Sequence, residues 1–437
     1  MRRLGSPVVF LATAFVACLI LVVALLPHIA SAPKDTVAMP REWTKFRLNP
    51  QNDPVIAYAG APSWSIETHG PFSSSPAIVN ATVYLGNNSG GLYAVDVATG
   101  KVLWSYYAKN PIMSNPLVYD GLVIVGEGNA NSTTYAPHRQ VQVGNGPNSL
   151  FAVDAKTGKL AWRVPLAGTG MPTPVIIDGL LIHHNGSGGV IAVDPHTGRV
   201  VYRRTVKSIA SMVGLLPLEN DDLVVTTGIF PNRVFAIHPA DGTLAWAYPL
   251  SENDSGVGDC PPVTDGTRVF GDYIAPPKPD LQAGWNAPGV ERLYALDAKT
   301  GRLLWDIPLD SGTVPARNEA AIPLLARGKL YVGSSMRPYV HAIDPKTGEM
   351  LWSVKVDGPV LGGIVETDNR IYFGDQEGNL WSLDATTGEV LGKLKTATPF
   401  NVGSPVIVGD SLVIGSKMGT IAAVPLDEIL HSPVASR

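Results

Sequence analysis

The sequence is short of cysteine and of charge, and each shortage excludes a class of protein. Cys18 and Cys260 are the two cysteines among 437 residues, and Cys18 lies in an apolar N-terminal run, so a disulfide within the mature domain lacks a second partner. No CxxC, CxxCH or Cys/His cluster occurs, which argues against structural zinc and covalent haem. Lys and Arg total 33 against 37 Asp and Glu, without a basic run, so nucleic acid is not an expected partner.

Charged residues make up 16% of the chain, whereas glycine and proline are abundant, at 45 and 37 residues. This balance is typical of a protein built from many short strands and turns, not of a helical or a disordered chain. A chain of 437 residues can form two or three ordinary domains, or one large repeat fold with a closed core.

The N-terminus predicts export from the cytoplasm. Arg2 and Arg3 precede an uncharged apolar run over residues 8–26, and residues 30–32 read Ala-Ser-Ala, which resembles a signal-peptidase site. The run is just long enough to span a bilayer with the arginines on the cytoplasmic side. Because it is long for a signal peptide and Pro33 disfavours cleavage, we favour an uncleaved membrane anchor over a removed signal. The rest of the chain is extracytoplasmic under either interpretation.

A hairpin pattern with the consensus A-x-D-x-x-T-G-x-x-x-W recurs along the chain. Seven copies align, at residues 92–104, 150–162, 190–202, 234–246, 293–305, 340–352 and 380–392. Another pair of short strands around a turn precedes each copy, so each unit contains four strands at a basic period of 40 residues. Such units predict an all-β fold, a β-propeller of four-stranded blades.

The C-terminal unit is incomplete, and an N-terminal segment can complete it. An eighth copy begins at Thr420 and stops at Pro425, before any outer strand. Residues 62–68 supply a candidate for the missing strand, because Trp64 precedes Trp104 by 40 residues, the repeat distance. Beside the C-terminal strands this segment would close the ring and remove an exposed sheet edge. The sequence therefore predicts eight blades.

The predicted organisation has four parts. Residues 1–32 are a signal peptide or membrane anchor, residues 33–61 a lead-in or linker, residues 62–430 the eight-bladed propeller and residues 431–437 a tail.

The motif residues have structural roles that need no ligand. The Asp carboxylate can accept backbone N–H bonds in the turn, and the Gly takes the positive φ that other residues resist. A Trp packed between blades buries ~150–250 Å², which corresponds to about 4–6 kcal/mol gross. The complete copies assign these roles to Asp96, Gly100, Trp104, Asp154, Gly158, Trp162, Asp297, Gly301, Trp305, Asp344, Gly348 and Trp352.

The pattern resembles the tryptophan-docking motif of the pyrroloquinoline quinone (PQQ)-like repeat, which quinoprotein dehydrogenases share with the BamB family of outer-membrane assembly lipoproteins. The resemblance covers about residues 42–428 and includes Glu-Trp-Thr-Lys-Phe-Arg at 42–47, similar to the W-x-x-F-R opening of such proteins. It implies the propeller fold but leaves the function open, because enzymes and non-enzymes share the repeat.

Three departures from the 40-residue period point to one face of the propeller. Units two and five carry long insertions between their second and third strands, at 127–148 and 273–291, and unit six is extended at 306–320, between blades. Loops of both kinds emerge on the same face. Binding residues concentrate in loops that a rigid scaffold holds, so we expect a protein or small-molecule ligand there.

Residues just before each inner strand should line the channel mouth, and four of them carry chemistry. Asn318 and Glu319 could hold Ca²⁺, Arg317 could meet a carboxylated cofactor, and Asp259 could act as a general base. A quinoprotein dehydrogenase needs such groups. The alternative is that all four are solvated polar residues of loops.

Three features weigh against the enzyme that the resemblance offers. Quinoprotein alcohol dehydrogenases typically cap the cofactor with adjacent cysteines, and Cys260 stands alone. Trp285 is the candidate for the tryptophan under the cofactor, and it lies in a loop. Such enzymes are also usually longer. We therefore expect a membrane-attached extracytoplasmic binding or scaffold propeller, similar to BamB and without a cofactor; the alternative is a dehydrogenase that uses PQQ and calcium to oxidise an alcohol or sugar.

Overall fold

The computed structural model describes residues 38–128, 147–210, 212–229, 231–250, 260–277, 287–315 and 321–432, with the backbone of 130–132 and 141–143. These residues form eight larger sheets, mainly antiparallel, which are the blades of a β-propeller, and one separate two-stranded sheet. The all-β, eight-bladed fold predicted from the sequence is confirmed.

The first half of the chain contains blades one to four and two preceding strands. The strands are β1 (Val55–Ile56), β2 (Trp64–Glu67), β3 (Ala77–Val79), β4 (Thr82–Gly86), β5 (Gly91–Asp96), β6 (Val102–Tyr107), β7 (Leu117–Tyr119), β8 (Leu122–Glu127), β9 (Ala130–Ser132), β10 (Val141–Val143), β11 (Asn148–Asp154), β12 (Leu160–Leu166), β13 (Val175–Ile177), β14 (Leu180–His184), β15 (Gly189–Val193), β16 (Val200–Thr205), β17 (Leu216–Leu218), β18 (Leu223–Ile229), β19 (Asn232–Ile237) and β20 (Leu244–Pro249). A short 3-10 helix covers Glu219–Asp221.

The second half contains blades five to eight and one short helix. Its elements are β21 (Val263–Thr264), β22 (Arg268–Ala275), β23 (Pro288–Asp297), β24 (Leu303–Thr313), β25 (Leu324–Ala326), β26 (Lys329–Gly333), β27 (Tyr339–Ile343), β28 (Met350–Lys355), β29 (Val365–Thr367), β30 (Arg370–Gly374), β31 (Asn379–Asp384), β32 (Val390–Lys395), β33 (Val406–Val408), β34 (Ser411–Gly415), β35 (Thr420–Pro425) and α1 (Leu426–Leu430). The insertion in blade two contains the β9–β10 pair, between β8 and β11.

Each D-x-x-T-G turn is held by the same type of hydrogen bond. In blade one, Asp96 Oδ1 accepts from the Thr99 amide at 2.9 Å and from its hydroxyl at 2.7 Å. Gly100 has a φ of +71°, which costs glycine little and other residues more. The pairing register shifts between Ala94 and Val95, so a β-bulge bends the strand into the turn.

Each motif tryptophan contacts the turn of the next blade. Trp104 Nε1 donates to the carbonyl of Ala155 at 2.9 Å, and its ring covers Gly158, where a Cβ would lie 2.7 Å from the ring. Equivalent bonds join Trp64 to Val97, Trp162 to Pro195, Tyr202 to Pro239, Trp246 to Ala298 and Trp305 to Pro345. The glycine of each turn is therefore also the platform for the preceding blade's aromatic ring.

Blade eight contains strands from both ends of the described chain. β2 pairs antiparallel with β35, and β1 pairs parallel with β33, which gives the strand order β1-β33-β34-β35-β2. The aromatic contact from Trp64 to blade one then continues the series around the ring.

Blade seven has Gly392 where other blades have an aromatic residue, because a helix lies there. α1 follows β35 directly and packs on β32. A Cβ on Gly392 would collide with the backbone of Ile429 and Leu430. The helix thus replaces the tryptophan as the cover of this position.

The membrane anchor or signal predicted for residues 1–32 lies outside the described residues. Within the part of the chain that the structure describes, no helix is long and apolar enough to cross a membrane.

Gly158→Ala tests how much the tryptophan contact adds to the fold. Gly158 and Gly121 have similar φ values, +67° and +75°, but a Cβ on Gly158 meets Trp104, whereas one on Gly121 meets nothing within 4 Å. We expect Gly121→Ala to lower the free energy of unfolding by ~1 kcal/mol, because alanine tolerates the positive φ poorly. Gly158→Ala should lower it by about 1–3 kcal/mol more, because its Cβ also overpacks against the Trp104 ring. The midpoint of urea unfolding measures both. An equal loss of unfolding free energy in the two variants would contradict this expectation, because it would mean that the Trp104 ring moves aside freely.

Candidate functional site

Residues 40–56 run along the inner wall of the channel, and we call them the channel segment. The innermost strand of each blade has one backbone edge that faces the axis, and its N–H groups need acceptors. The segment supplies them while its own side chains are buried: Trp43, Arg47, Asn52 and Val55 are each no more than 2% exposed.

The channel segment contacts the eight blades in order. Its carbonyls at Pro40, Thr44, Pro50, Gln51 and Pro54 accept from the amides of Asn80 (3.1 Å), Ile176 (2.8 Å), Thr264 (3.0 Å), Leu325 (3.0 Å) and Ile407 (3.1 Å), in blades one, three, five, six and eight. Trp43 exchanges two backbone bonds with Val118 in blade two, Lys45 Nζ pairs with Glu219 in blade four at 3.0 Å, and Asp53 Oδ1 accepts from the Glu366 amide in blade seven at 2.8 Å. The segment therefore makes one complete circuit of the ring.

In each blade, the residue two positions before the innermost strand faces the channel, and we call these eight residues the collar. Its members are Ser75, Asn115, Thr173, Gly214, Pro261, Ile322, Gly363 and Ser404. In four successive steps the amide of one collar residue donates to the side chain of the next: Gly363 to Ser404 (2.7 Å), Ser404 to Ser75 (2.9 Å), Ser75 to Asn115 (2.7 Å) and Asn115 to Thr173 (2.9 Å). The collar is polar over these blades and apolar at Pro261 and Ile322.

The two collar glycines make room for side chains of the channel segment. A Cβ on Gly214 would lie 2.7 Å from the ring of Phe46, and one on Gly363 would collide with Arg47 Nη1. Arg47 Nη2 donates to the carbonyls of Ile364 (2.8 Å) and Pro405 (3.1 Å). Phe46 and Arg47 thus reach collar level at blades four and seven, respectively.

Phe46 and the collar enclose a small cavity at the floor of the channel mouth. Its walls include Phe46, Ser75, Asn115, Thr173, Pro261 and Ile322, and its volume is about 20 Å³. That volume holds about one water molecule.

A second feature near the mouth distinguishes blades three to five from the others. The second strand carries a glycine at the same register position in blades one, two, six, seven and eight, at its last residue or, in blade two, one residue before it. The space beside this glycine is filled by the neighbouring blade, for example by Ile112 at Gly86. The same register position carries His184, Thr227 and Asp272 in blades three, four and five. Three adjacent blades therefore bury a polar side chain at the position where the other five blades have glycine.

Asp272 is the least satisfied of the three. It is 1% exposed, and neither carboxylate oxygen has a hydrogen-bond partner of normal geometry among the described residues. Burial, followed by the charge of Glu291, raises the pKa of Asp272 well above its ordinary range, although the amide of Ala321 opposes the shift. Beside it the buried hydroxyl of Tyr294 also lacks a partner within the described chain. A protonated carboxyl group at this place can donate a proton.

His183 and His184 are both fully buried but differ in their contacts. His184 Nε2 lies 2.6 Å from the carbonyl of Ser208 and Nδ1 lies 3.1 Å from Thr226 Oγ1. Neither ring nitrogen of His183 has a partner among the residues described. Burial lowers the pKa of His183 to about 3 and that of His184 to about 4, so both rings are neutral near pH 7.

The four site residues predicted from the sequence lie outside the described residues: Asp259, Arg317, Asn318 and Glu319. Their sequence neighbours are described. The thiol of Cys260 donates to the carbonyl of Ala321 at 3.0 Å, and the Asp272 amide donates to Cys260 Sγ at 3.4 Å.

The inner strands of blades five and six begin at Val263 and Leu324, so the collar residues of these blades are Pro261 and Ile322. The sequence spacing instead predicts Asp259-Cys260 and Asn318-Glu319 just before these strands. Asp259, Asn318 and Glu319 lie outside the described residues, so their roles stay predictions. The collar is therefore less polar at blades five and six than the sequence suggested.

Sequence reasoning also missed two groups. The sequence predicts a lead-in or linker over residues 33–61, and Phe46 and Arg47 of this stretch form the channel floor. The repeated hairpin motif does not include Asp272, because this residue lies on the second strand of its blade. A comparison of second strands would have found it, since Asp272 stands where five blades have glycine.

These features can be compared with known proteins. Residues 52–138, 126–270 and 289–428 match the profile of the family described as outer membrane protein assembly factor BamB. The chain belongs to this family. Membership accounts for the repeat and the fold.

Individual relatives in this family's wider group have different functions. The chain is 25% identical over 456 residues to a tetrathionate hydrolase of Acidithiobacillus ferrooxidans, covering 93% of this chain and 90% of the relative. It is 25% identical over 359 residues to BamB of Moranella endobia, covering 80% and 84%. A quinohemoprotein alcohol dehydrogenase from Pseudomonas putida HK5 superposes with a TM-score of 0.64 at 16% identity, covering 91% and 82%, which shows the fold alone.

The cavity beside Phe46 is too small to hold PQQ, and the predicted cofactor residues Arg317, Asn318 and Glu319 lie outside the described residues. Cofactor pockets measure roughly 300–1,000 Å³, whereas the cavity beside Phe46 is about 20 Å³. Within the described residues, no group of three or more His, Cys, Asp or Glu side chains could hold a metal ion. Binding of PQQ and calcium stays a prediction from the sequence resemblance.

His183→Leu and His184→Leu form a matched pair that tests the buried histidines. His183→Leu removes two ring nitrogens without partners, so it should raise the free energy of unfolding by ~1–3 kcal/mol. His184→Leu removes a ring that makes two hydrogen bonds, so it should lower the free energy of unfolding by a similar amount.

The two histidines also make the stability depend on pH. Because both pKa values are lowered in the folded protein, the unfolded chain binds more protons below pH 6.5, and the stability of the wild type falls as the pH drops from there towards 4. Urea unfolding at pH 7 and 5 measures this. A less stable His183→Leu at pH 7 would contradict it.

Asp272→Asn tests the raised pKa of the buried carboxyl group. The folded protein keeps the proton to a higher pH than the unfolded chain, whose carboxyl titrates near pH 4, so this group makes stability fall as the pH rises above about 4. We expect Asp272→Asn to reduce that fall in the free energy of unfolding. Asp178→Asn is the control, since Asp178 is exposed in a turn with a φ of 48° that asparagine tolerates. Parallel pH profiles for wild type and Asp272→Asn would overturn the assignment.

Proposed function

We propose that the protein is an extracytoplasmic, membrane-attached propeller that binds a small ligand at the channel mouth. The site lies on the face that carries the insertion loops 127–148, 273–291 and 306–320. The observation that carries this proposal is the channel segment, because its circuit of all eight blades fills the channel behind the collar. A ligand then approaches the floor from the insertion-bearing side.

Two further observations support a small ligand. The floor is part polar and part apolar, which is typical of sites that bind and orient small molecules. The blades on one side of the mouth also bury Asp272 and Tyr294 without partners among the described residues. A protein partner, as the name BamB suggests for relatives, would meet the insertion loops instead.

The second candidate function is hydrolysis of a tetrathionate-like sulfur oxyanion, and Asp272 favours it. A carboxyl group that stays protonated can act as a general acid towards a leaving group at the mouth. The tetrathionate hydrolase relative aligns over almost the whole of both chains, so the resemblance extends beyond single repeats.

Tetrathionate added to the purified full-length protein tests both candidates. We expect saturable heat in a calorimetric titration, together with consumption of tetrathionate followed by ion chromatography. Asp272→Asn should still bind but should turn over at least about 100-fold more slowly, which is the usual contribution of a positioned acid. Asp178→Asn, which changes an exposed carboxyl group, should match the wild type.

The outcomes separate the functions. Binding without consumption would retain the ligand site and remove the hydrolase. Absence of tetrathionate binding, with a folded protein, would remove the hydrolase candidate and leave the identity of the ligand or partner at this face to be found. Equal turnover by wild type and Asp272→Asn would remove the acid role of Asp272.

A further inference from the structure

We propose that the cleft between blades one and two binds a small aromatic anion, whose charge pairs with Lys109 and whose ring contacts Tyr107. None of the described residues that line this cleft belongs to the channel floor, so the site is independent of the ligand site proposed above.

The cleft is an open cavity of about 420 Å³. The outer strand of blade one supplies Tyr106 and Tyr107 to its walls, the loop after that strand supplies Lys109, and the outer strand of blade two supplies Arg163 and Pro165. Sites for small organic molecules measure roughly 300–1,000 Å³. Unlike the cavity at the channel floor, this one is large enough for an organic ligand.

The insertion in blade two is accompanied by a change in the residue that follows the second-strand glycine. In blade one this residue is Asn87, and its Oδ1 accepts from two amides of its own tight turn, at 2.8 and 3.1 Å. Blade two has Glu127 at the same register position. Glu127 Oε2 accepts instead from the amides of Lys109 and Asn110, both at 3.1 Å, in the connection from blade one. The carboxylate therefore joins the two blades at the wall of the cleft.

Glu127 also fixes the orientation of Arg163. The carboxylate is buried, and its Oε1 accepts from the hydroxyl of Ser149 and from Arg163 Nη1. Arg163 Nη2 donates to the hydroxyl of Tyr106 at 2.9 Å, and the guanidinium carbon lies 4.6 Å from the centre of the Phe151 ring. The side chain of Arg163 nevertheless stays 31% exposed. The cleft thus presents a planar cation that is already held in place.

The charges that line the cleft favour an anion. Lys109 and Arg163 are positive and Glu127 is negative, which leaves one positive charge among the described lining residues. Arg163 compensates Glu127 directly, whereas the exposed ammonium group of Lys109 has no ion pair within the described part of the chain. A ligand with one negative charge complements this arrangement.

The apolar walls favour a flat ring. Tyr107 is 60% exposed, and its ring lies edge-on to that of Tyr93 with the centroids 6.2 Å apart. Pro147 and Pro165 add rigid apolar surface. Aromatic rings pack favourably on tyrosine rings and on the plane of a guanidinium group such as that of Arg163.

Sodium 2-naphthalenesulfonate is the probe for the test, and 2-naphthol is its neutral analogue at pH 7. Lys109→Glu is the decisive variant, and Lys101→Glu is the matched control. The two lysines flank the same strand, β6, and both are exposed, but only Lys109 lines the cleft. Full-length protein is titrated by calorimetry in the same buffer and detergent for every variant, so partition of the probe into detergent is common to all. The thermal midpoint of each variant is the folding check.

We expect saturable binding of the sulfonate by the wild type and by Lys101→Glu. Lys109→Glu should bind it at least about tenfold more weakly, because a cation in the cleft is replaced by an anion. Tyr107→Ala should also weaken binding, since an exposed ring that the ligand contacts is removed. The wild type should bind 2-naphthol more weakly than the sulfonate, and Lys109→Glu should not reduce that binding further.

Equal affinity of the wild type and Lys109→Glu for the sulfonate would overturn the site. So would the absence of saturable binding by the wild type, or a 2-naphthol affinity equal to that of the sulfonate. An equal loss of binding in Lys101→Glu would mean that the net charge of the protein attracts the anion, and would also overturn it. Because no residue of the channel floor is changed, none of these results affects the ligand site proposed at the channel mouth.

Discussion

The structure depends on how the axis-facing edges of eight innermost strands are satisfied. Each short strand presents backbone N–H groups to the channel, and an unpaired buried N–H costs as much as a lost hydrogen bond. In six blades the channel segment satisfies them with carbonyls from Pro40 to Pro54, and in blade seven the Asp53 carboxylate accepts. That constraint fixes the path of the segment, and the path in turn places Phe46 and Arg47 at the collar. The floor of the candidate site thus follows from the need to hydrogen-bond the axis-facing N–H groups of the innermost strands.

The fold could be predicted because its determinants are local and repeated. The turn carboxylates, glycines and tryptophans occur at fixed spacing, and each contact between blades copies the last, as between Trp104 and Gly158. Even exceptions have local causes, since Gly392 replaces a tryptophan where α1 covers the blade. Repetition gave the blade number and the strand order within each blade.

The site was harder to predict, for two physical reasons. The channel segment binds mainly through backbone carbonyls, which leave no side-chain pattern, and only Trp43, Phe46 and Arg47 in the W-x-x-F-R opening gave a sign of it. The register of blade six depends on where β25 begins, which the period does not reveal because β25 follows the extension at 306–320. Asp272 was visible in the sequence, but its significance comes from burial without a partner among the described residues.

The circuit of the channel segment also constrains the order of folding. Its first contacts are with blades one and two, close in sequence, but the partner of Pro54 is Ile407, near the C-terminal end of the described chain. During synthesis the segment emerges first and completes its bonds last, since it must wait for every blade to be made. Final assembly is therefore a late event of high contact order, and the floor of the channel exists only once the entire ring is present.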